Sequence, residues 1–182
     1  MAKHIMLDLE ALDPSKTGVL VSIGAVYFDF TTGELGDEFY VEISKQGIKQ
    51  QIEEYGRTIS VDCLIWWMSQ SDQAREVFNP KMKQMNLSDA LHLFAEFCGE
   101  KKVRIWGNGA DFDNVFLKSC YDSLGERLPW SFRYNRCYRT MKNLFGHRAK
   151  LERVGAHHNG LDDAKTQAVH LMKMMEGLWI NE

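Results

Sequence analysis

No run in the 182 residues reaches the roughly 20 consecutive apolar positions that a membrane-spanning helix needs. The opening "MAKHIMLDLE" meets acid before a signal-peptide core can form, so the chain reads as cytoplasmic, with no membrane partner. Cysteine is scarce: Cys63, Cys98, Cys120 and Cys137 stand apart, without a CxxC pair or a Cys/His cluster. That spacing argues against a disulfide framework and structural zinc, and leaves four buried, reduced thiols. Internal repeats, low-complexity tracts and linkers are missing, and residues 1–182 read as one domain. There is no D-x-D-x-D-G loop, which removes a contiguous calcium site. A large charge of either sign is absent too; a net charge of −3 does not suit a general polyanion binder.

What is present is the composition of a soluble globular domain, 45% hydrophobic and 26% charged. The charge is uneven. Residues 127–153 hold eight Lys or Arg against a single acid, Glu152. Such a stretch is either a solvated basic face or a path for a polyanion.

The segment "LDLEALD" sits in a first strand. Side chains alternate along a strand, so Ile5, Leu7 and Leu9 share one face while Met6, Asp8 and Glu10 share the other. Two carboxylates on one face repel and raise each other's pKa unless something positive compensates them. After the turn-rich "DPSKTG", where Asp13 can cap a turn, residues 19–30 are rich in β-branched and aromatic residues and predict a central strand. "TTGE" then turns the chain into "ELGDEFYVEI", completing a three-strand meander.

The period then changes. "IKQQIEEYG", "SVDCLIWWMSQS" and "SDALHLFAEFCG" predict helices, with Ser60 and Ser88 as N-caps. "KVRIWGNG" predicts a short strand ending at glycines, followed by a helix over 111–124. Strand, helix, strand implies a crossover and parallel pairing onto the meander. Within the basic stretch, "CYRTMKNLF" predicts one short helix. "LDDAKTQAVHLMKMMEGLW" predicts a final helix with an apolar stripe of Leu161, Ala164, Ala168, Leu171, Met172 and Met175. The fold class is α/β.

Acids interrupt apolar patterns twice more. In "WGNGADFDNVFL", Asp111 and Asp113 open a helix, where capping competes with chemistry as an explanation. In "AHHNGLDDAKTQA", two histidines precede two aspartates, and Asp162 and Asp163 flank the apolar stripe about equally, on opposite sides. Histidine is the side chain best suited to take a proton near neutral pH. Histidine with several carboxylates points to hydrolysis.

Together "LDLE" on the first strand, "SIGAV" on the second, "FD" after a strand and glycine break, and "HNGLDDA" leading the last helix resemble the DnaQ-like 3′-to-5′ exonucleases, the histidine subtype of the DEDD nucleases. "WWMSQSDQAR", residues 66–75, is similar to the small phage and prophage members. The resemblance implies a ribonuclease H-like fold, a mixed five-stranded sheet (the antiparallel meander plus parallel strands) flanked by helices. It implies release of 5′-mononucleotides from single-stranded DNA or RNA 3′ ends, and the phage-like segment tilts the expectation toward DNA. The family spacing, with leucine before the aspartate pair, selects His158 with Asp163, and an aromatic before the second-motif aspartate selects Asp113 over Asp111.

By the same resemblance Asp8 would bridge two Mg²⁺ or Mn²⁺ ions roughly 4 Å apart. Glu10 and Asp163 would hold the ion bearing the nucleophilic water, Asp113 would support the second, and His158 would take the proton. Leu9, Leu12, Trp66, Asn108, Arg136 and Arg139 would contact the strand, Leu12 as a wedge against the terminal base. The family contains dimers, so a homodimer is implied as an assembly open to the chain; a catalytically silent nucleic-acid-binding module with the same fold is the alternative. The sequence departs from the family pattern at Ala11, where many relatives have threonine, at Gly160 in place of alanine, and at Asn108, one residue further from its aspartate.

Overall fold

The first strand, β1 (His4–Ala11), is buried on both faces, and its alternation divides the molecule. In the computed structural model, which describes residues 3–79, 84–99, 102–109 and 111–178, Ile5, Leu7 and Leu9 enter one apolar core and Met6 enters another on the opposite face. β2 (Leu20–Asp29) pairs antiparallel with β1, setting Asp8 opposite Gly24 and Glu10 opposite Ser22. β3 (Glu34–Ile43) completes the meander with the bounds that its alternation predicts.

Three helices follow: α1 (Lys45–Glu53), α2 (Val61–Met68) and the single turn α3 (Asp72–Arg75). The Ser60 side chain caps α2 as expected, accepting the Cys63 N–H. A two-residue strand, β4 (Gln84–Met85), pairs parallel with the end of β3. α4 (Leu87–Cys98) is capped by Asn86, whose side-chain Oδ1 accepts the Asp89 N–H at 2.8 Å, and not by Ser88. The helix starts one residue before Ser88, because an Asn side chain is an equally good acceptor for the open first turn.

β5 (Arg104–Gly107) pairs parallel with β1, and α5 (Asp113–Ser123) starts two residues later than expected. β6 (Asn135–Cys137) lies inside the basic stretch, parallel to β5, and leads directly into α6 (Tyr138–Phe145). The last helix is α7 (Gly160–Met175); Trp179, assigned to it on periodicity, lies outside the described residues. The sheet order is β4-β3-β2-β1-β5-β6, the mixed five-stranded sheet expected plus the two-residue edge strand.

α4 and α5 cover the face carrying Leu7, through residues such as Leu91, Phe94, Phe116 and Leu117. α7 covers the other with Ala164, Ala168, Leu171 and Met175, joined by Tyr138 of α6. Each fully buried Leu, Ile, Phe or Met contributes about 1.5–3 kcal/mol, so the two cores fix the sheet between two helical layers. Cys98 and Cys120 are buried, but Cys63 and Cys137 are half-exposed, which corrects the expectation of four buried thiols; Cys137 caps α6, a role that leaves it at the surface. Among the described residues no helix is long and apolar enough to cross a membrane.

Candidate active site

The face of β1 that carries Asp8 and Glu10 lies beneath the first turn of α7. Close approach there depends on glycine. A Cβ added to Gly24 would lie 2.0 Å from the Gly160 carbonyl carbon, and one on Gly160 would lie 3.1 Å from the Asp8 carbonyl oxygen. The helix thus rests backbone to backbone on β1 and β2, which gives a physical reason for Gly160 where relatives carry alanine. Asn159 caps the helix, accepting the Asp162 N–H at 3.1 Å.

This seating brings four carboxylates from three distant segments into one cluster. Asp8 accepts a hydrogen bond from the Gln167 side-chain amide at 2.7 Å. Asp113, the first residue of α5, accepts the Asn108 N–H at 2.6 Å and the Leu9 N–H at 3.3 Å. Asp163 accepts the His158 N–H at 2.9 Å on Oδ2, while its Oδ1 pairs with the Arg153 guanidinium. Glu10, His158 and Asp163 each offer one ligand atom, all within 4.8 Å of one another.

Burial and mutual repulsion shape the electrostatics. Burial, then the charge of Asp163 and of Asp113, pushes the Glu10 carboxyl up to about 8. Asp8 is raised well above the usual carboxylate range by burial first and then by Asp113, Glu10 and Asp163, with the Gln167 bond opposing. Burial lifts Asp113 to about 6, against the two backbone N–H donors and the nearby Arg139 charge. Uncompensated carboxylates in a dry site behave this way, and a cation between them reverses the effect. His158 is held below its usual value by burial and by His157, partly offset by Asp163, so its imidazole is neutral at neutral pH and able to accept a proton.

His158 is also strained. It is the one non-glycine residue at positive φ (+60°) among the described residues, and a nitrogen of its ring lies within 4.8 Å of an Asp163 carboxylate oxygen. Trp66 meets the imidazole edge to face at 4.8 Å between ring centroids, and His157 lies at 3.8 Å.

The neighbouring acids separate clearly. Asp162 turns away from the cluster and accepts the Ala156 N–H at 2.7 Å, anchoring the preceding loop, and Asp111 is exposed. Among residues expected at the strand, Trp66 is 41% exposed beside His158, and the Arg139 guanidinium lies beside Gly109, close enough for its charge to act on Asp113. Four others sit differently. Leu9 is buried in the core under the opposite face of β1 and gives the site its N–H only. Leu12 is 6% exposed, packed against Val19, Val21 and Trp67 of α2. Arg136 folds back to donate to the Arg133 and Asn135 carbonyls at 3.0 Å, and Asn108 contributes its backbone N–H. Gln167 and Arg153 escaped sequence reasoning. Gln167 lies one turn beyond Asp163 on α7, and that spacing is the signal which could have found it.

The model of a family described as the 3′-5′ exoribonuclease Rv2179c-like domain matches residues 3–175. Among curated proteins none matches. Solved structures that resemble the chain include the nuclease domain of 3′hExo, a DEDDh family member, bound to rAMP: 16% identity, TM-score 0.64, covering 99% of this chain and 96% of that one. A 3′-exonuclease in 3′-end specific recognition of a histone mRNA stem-loop matches at 14% identity and TM-score 0.58, over 96% of this chain and 82% of that one. E. coli Exonuclease I in complex with a dT13 oligonucleotide matches at 10% identity and TM-score 0.64, over 97% of this chain and 41% of that one. At these identities the likeness establishes the fold, the ribonuclease H-like arrangement of DEDDh exonucleases. Matched by the family model over nearly its whole length, the chain belongs to the Rv2179c-like 3′-5′ exoribonuclease domain family and is a phosphodiester hydrolase.

Proposed function

We propose that the protein shortens single-stranded RNA from its 3′ end, releasing 5′-mononucleotides, with two Mg²⁺ or Mn²⁺ ions held by Asp8, Glu10, Asp113 and Asp163. The observation that carries this reading is the buried cluster of four carboxylates, Glu10 pushed up to about 8, beside a neutral histidine. The donor set fits: hard carboxylate oxygens suit these ions. When bound, such ions supply a Lewis acid and compensate charge on the attacking and leaving oxygens.

The chain's own residues supply the rest. His158 accepts the proton of the attacking water, its ring held by the positive-φ backbone and the Trp66 edge. Gln167 fixes the rotamer of Asp8, and the Leu9 and Asn108 N–H groups fix that of Asp113. Trp66, partly exposed at the rim, offers a face for an unstacked base, and Arg139 offers a charge for a phosphate.

RNA is favoured over the DNA that the tryptophan segment suggested, because the family model that spans the chain describes an exoribonuclease. The silent-module alternative loses its support, since all five side chains are present and assembled. Matched 5′-labelled RNA and DNA oligomers incubated with Mn²⁺ beside an Asp8→Ala control test the proposal. The expected result is stepwise shortening from the 3′ end, faster on RNA and abolished in the control. Equal or faster loss of DNA would overturn the RNA reading, and no shortening of either strand would overturn the activity.

A further inference from the structure

The cluster is not left wholly to its own repulsion. Among the described residues Arg153 is the one cation that pairs directly with a carboxylate of the cluster, its Nη1 donating to Asp163 Oδ1. The backbone around Arg153 is pinned. Thr166 of α7 accepts the Val154 N–H at 3.0 Å, and Asp162 accepts the Ala156 N–H at 2.7 Å. Gly155 at φ +66° lies so close to Asp162 that a Cβ there would be 2.2 Å from the carboxylate carbon. The Arg153 side chain, by contrast, is 35% exposed, and besides Asp163 it makes a 3.5 Å hydrogen bond to the Ala156 carbonyl, its charge also reaching His158 and Tyr138. A fixed Cα carrying a partly solvated arm can change partners without moving the loop.

The partner is the decisive point. Asp163 has both oxygens engaged, Oδ2 by the His158 N–H and Oδ1 by Arg153. The same carboxylate, with Glu10 and His158, forms the one group of three ligand atoms spaced for a metal ion among the described residues. A divalent cation and a guanidinium cannot share that carboxylate without strong like-charge repulsion.

We propose that Arg153 is a positioning residue that stands in for a cation, holding Asp163 while the cluster is free of ions and releasing it to the entering ion. The freed guanidinium then meets a phosphate of the bound strand, an anion that its planar fork can grip through two parallel hydrogen bonds. This inference rests on the two-ion reading above. It makes ion loading and substrate grip consecutive uses of one side chain.

The test is calorimetric Mn²⁺ titration of the ion-free wild type, Arg153→Gln, Arg153→Lys and Lys173→Gln, with melting curves and KM for RNA on the same samples. Lys173, paired with Glu152 near the far end of α7, removes an equal charge away from the cluster. Arg153→Gln is expected to bind Mn²⁺ five- to tenfold more tightly, to melt lower than wild type without ions, and to raise KM more than it lowers kcat. Arg153→Lys should fall between, and Lys173→Gln should match wild type. Unchanged or weaker Mn²⁺ affinity in both Arg153 variants, beside a wild type that binds and cleaves, would overturn the stand-in role alone. A wild type that neither binds Mn²⁺ nor cleaves would overturn the two-ion reading instead.

Discussion

Asp8→Asn is expected to lose RNA cleavage by about a thousandfold or more while raising the melting temperature of the ion-free protein. The two effects have opposite signs for one reason. Asp8 sits at the centre of the cluster, raised by burial and by the charges of Asp113, Glu10 and Asp163. An amide keeps the volume, still accepts the Gln167 bond and removes the charge that the other three acids repel. Relief of about 1–2 kcal/mol corresponds to roughly 2–8 °C in a domain of this size. The loss of activity follows from removing a ligand that cations need; each 1.36 kcal/mol of lost transition-state stabilisation costs tenfold, and electrophilic metal assistance is worth several kcal/mol. Cleavage assays with Mn²⁺ and melts in chelator report the two sides. A variant that stays active, or that melts lower than wild type without ions, would contradict the assigned role.

Gly24→Ala is expected to damage both stability and activity, although it adds one methyl group at a position far in sequence from the acids of the cluster. That methyl would lie 2.0 Å from the Gly160 carbonyl carbon and 2.2 Å from the Leu161 nitrogen, backbone atoms that cannot swing aside. The first turn of α7 must lift. Overpacking of this kind costs about 1–3 kcal/mol, and the larger figure applies where the obstacle is main chain. Lifting α7 also moves Asp163, His158 and Gln167 away from β1, and displacement of reacting groups by about 1 Å costs around a hundredfold in rate. Gly33→Ala is the contrast: its φ of +71° strains any side chain, but nothing lies within 4 Å of an added Cβ. It should cost about 1 kcal/mol and leave cleavage intact. Chemical denaturation and initial rates on the pair separate strain from displacement, and a fully active Gly24→Ala would show that α7 seats differently.

Much of this architecture was legible in the residues. Alternation in β1 placed Asp8 and Glu10 opposite the Leu7 core, and β3 runs over the ten residues its pattern marked. The stripe of α7 is the stripe that packs. What escaped detection was either too short to show a period or set by tertiary contact. β6 has three residues, fewer than a period-two pattern needs, and its neighbours are the basic residues that read as loop. The burial of Leu12 depends on Trp67, whose indole donates to the Ala11 carbonyl at 2.9 Å from a helix 56 residues away. Gln167 reaches Asp8 across 159 positions, and only the seating of α7 makes them neighbours. Arg153 looked like one more charge in a basic stretch, and only the fold of the loop over α7 carries it to Asp163.

The central claim is that buried carboxylates here are assembled at a cost that cations relieve. Groups whose folded-state pKa lies above the unfolded value bind protons more tightly when folded, so they oppose folding increasingly as pH rises through that interval. For Glu10 the interval runs from about 4.5 to about 8, and for Asp113 from about 3.8 to about 6. The direct measurement is the melting temperature between pH 5 and pH 8, in chelator and in Mn²⁺. A progressive fall in chelator that Mn²⁺ abolishes at pH 8 is the predicted result; a flat profile indifferent to Mn²⁺ would contradict the account.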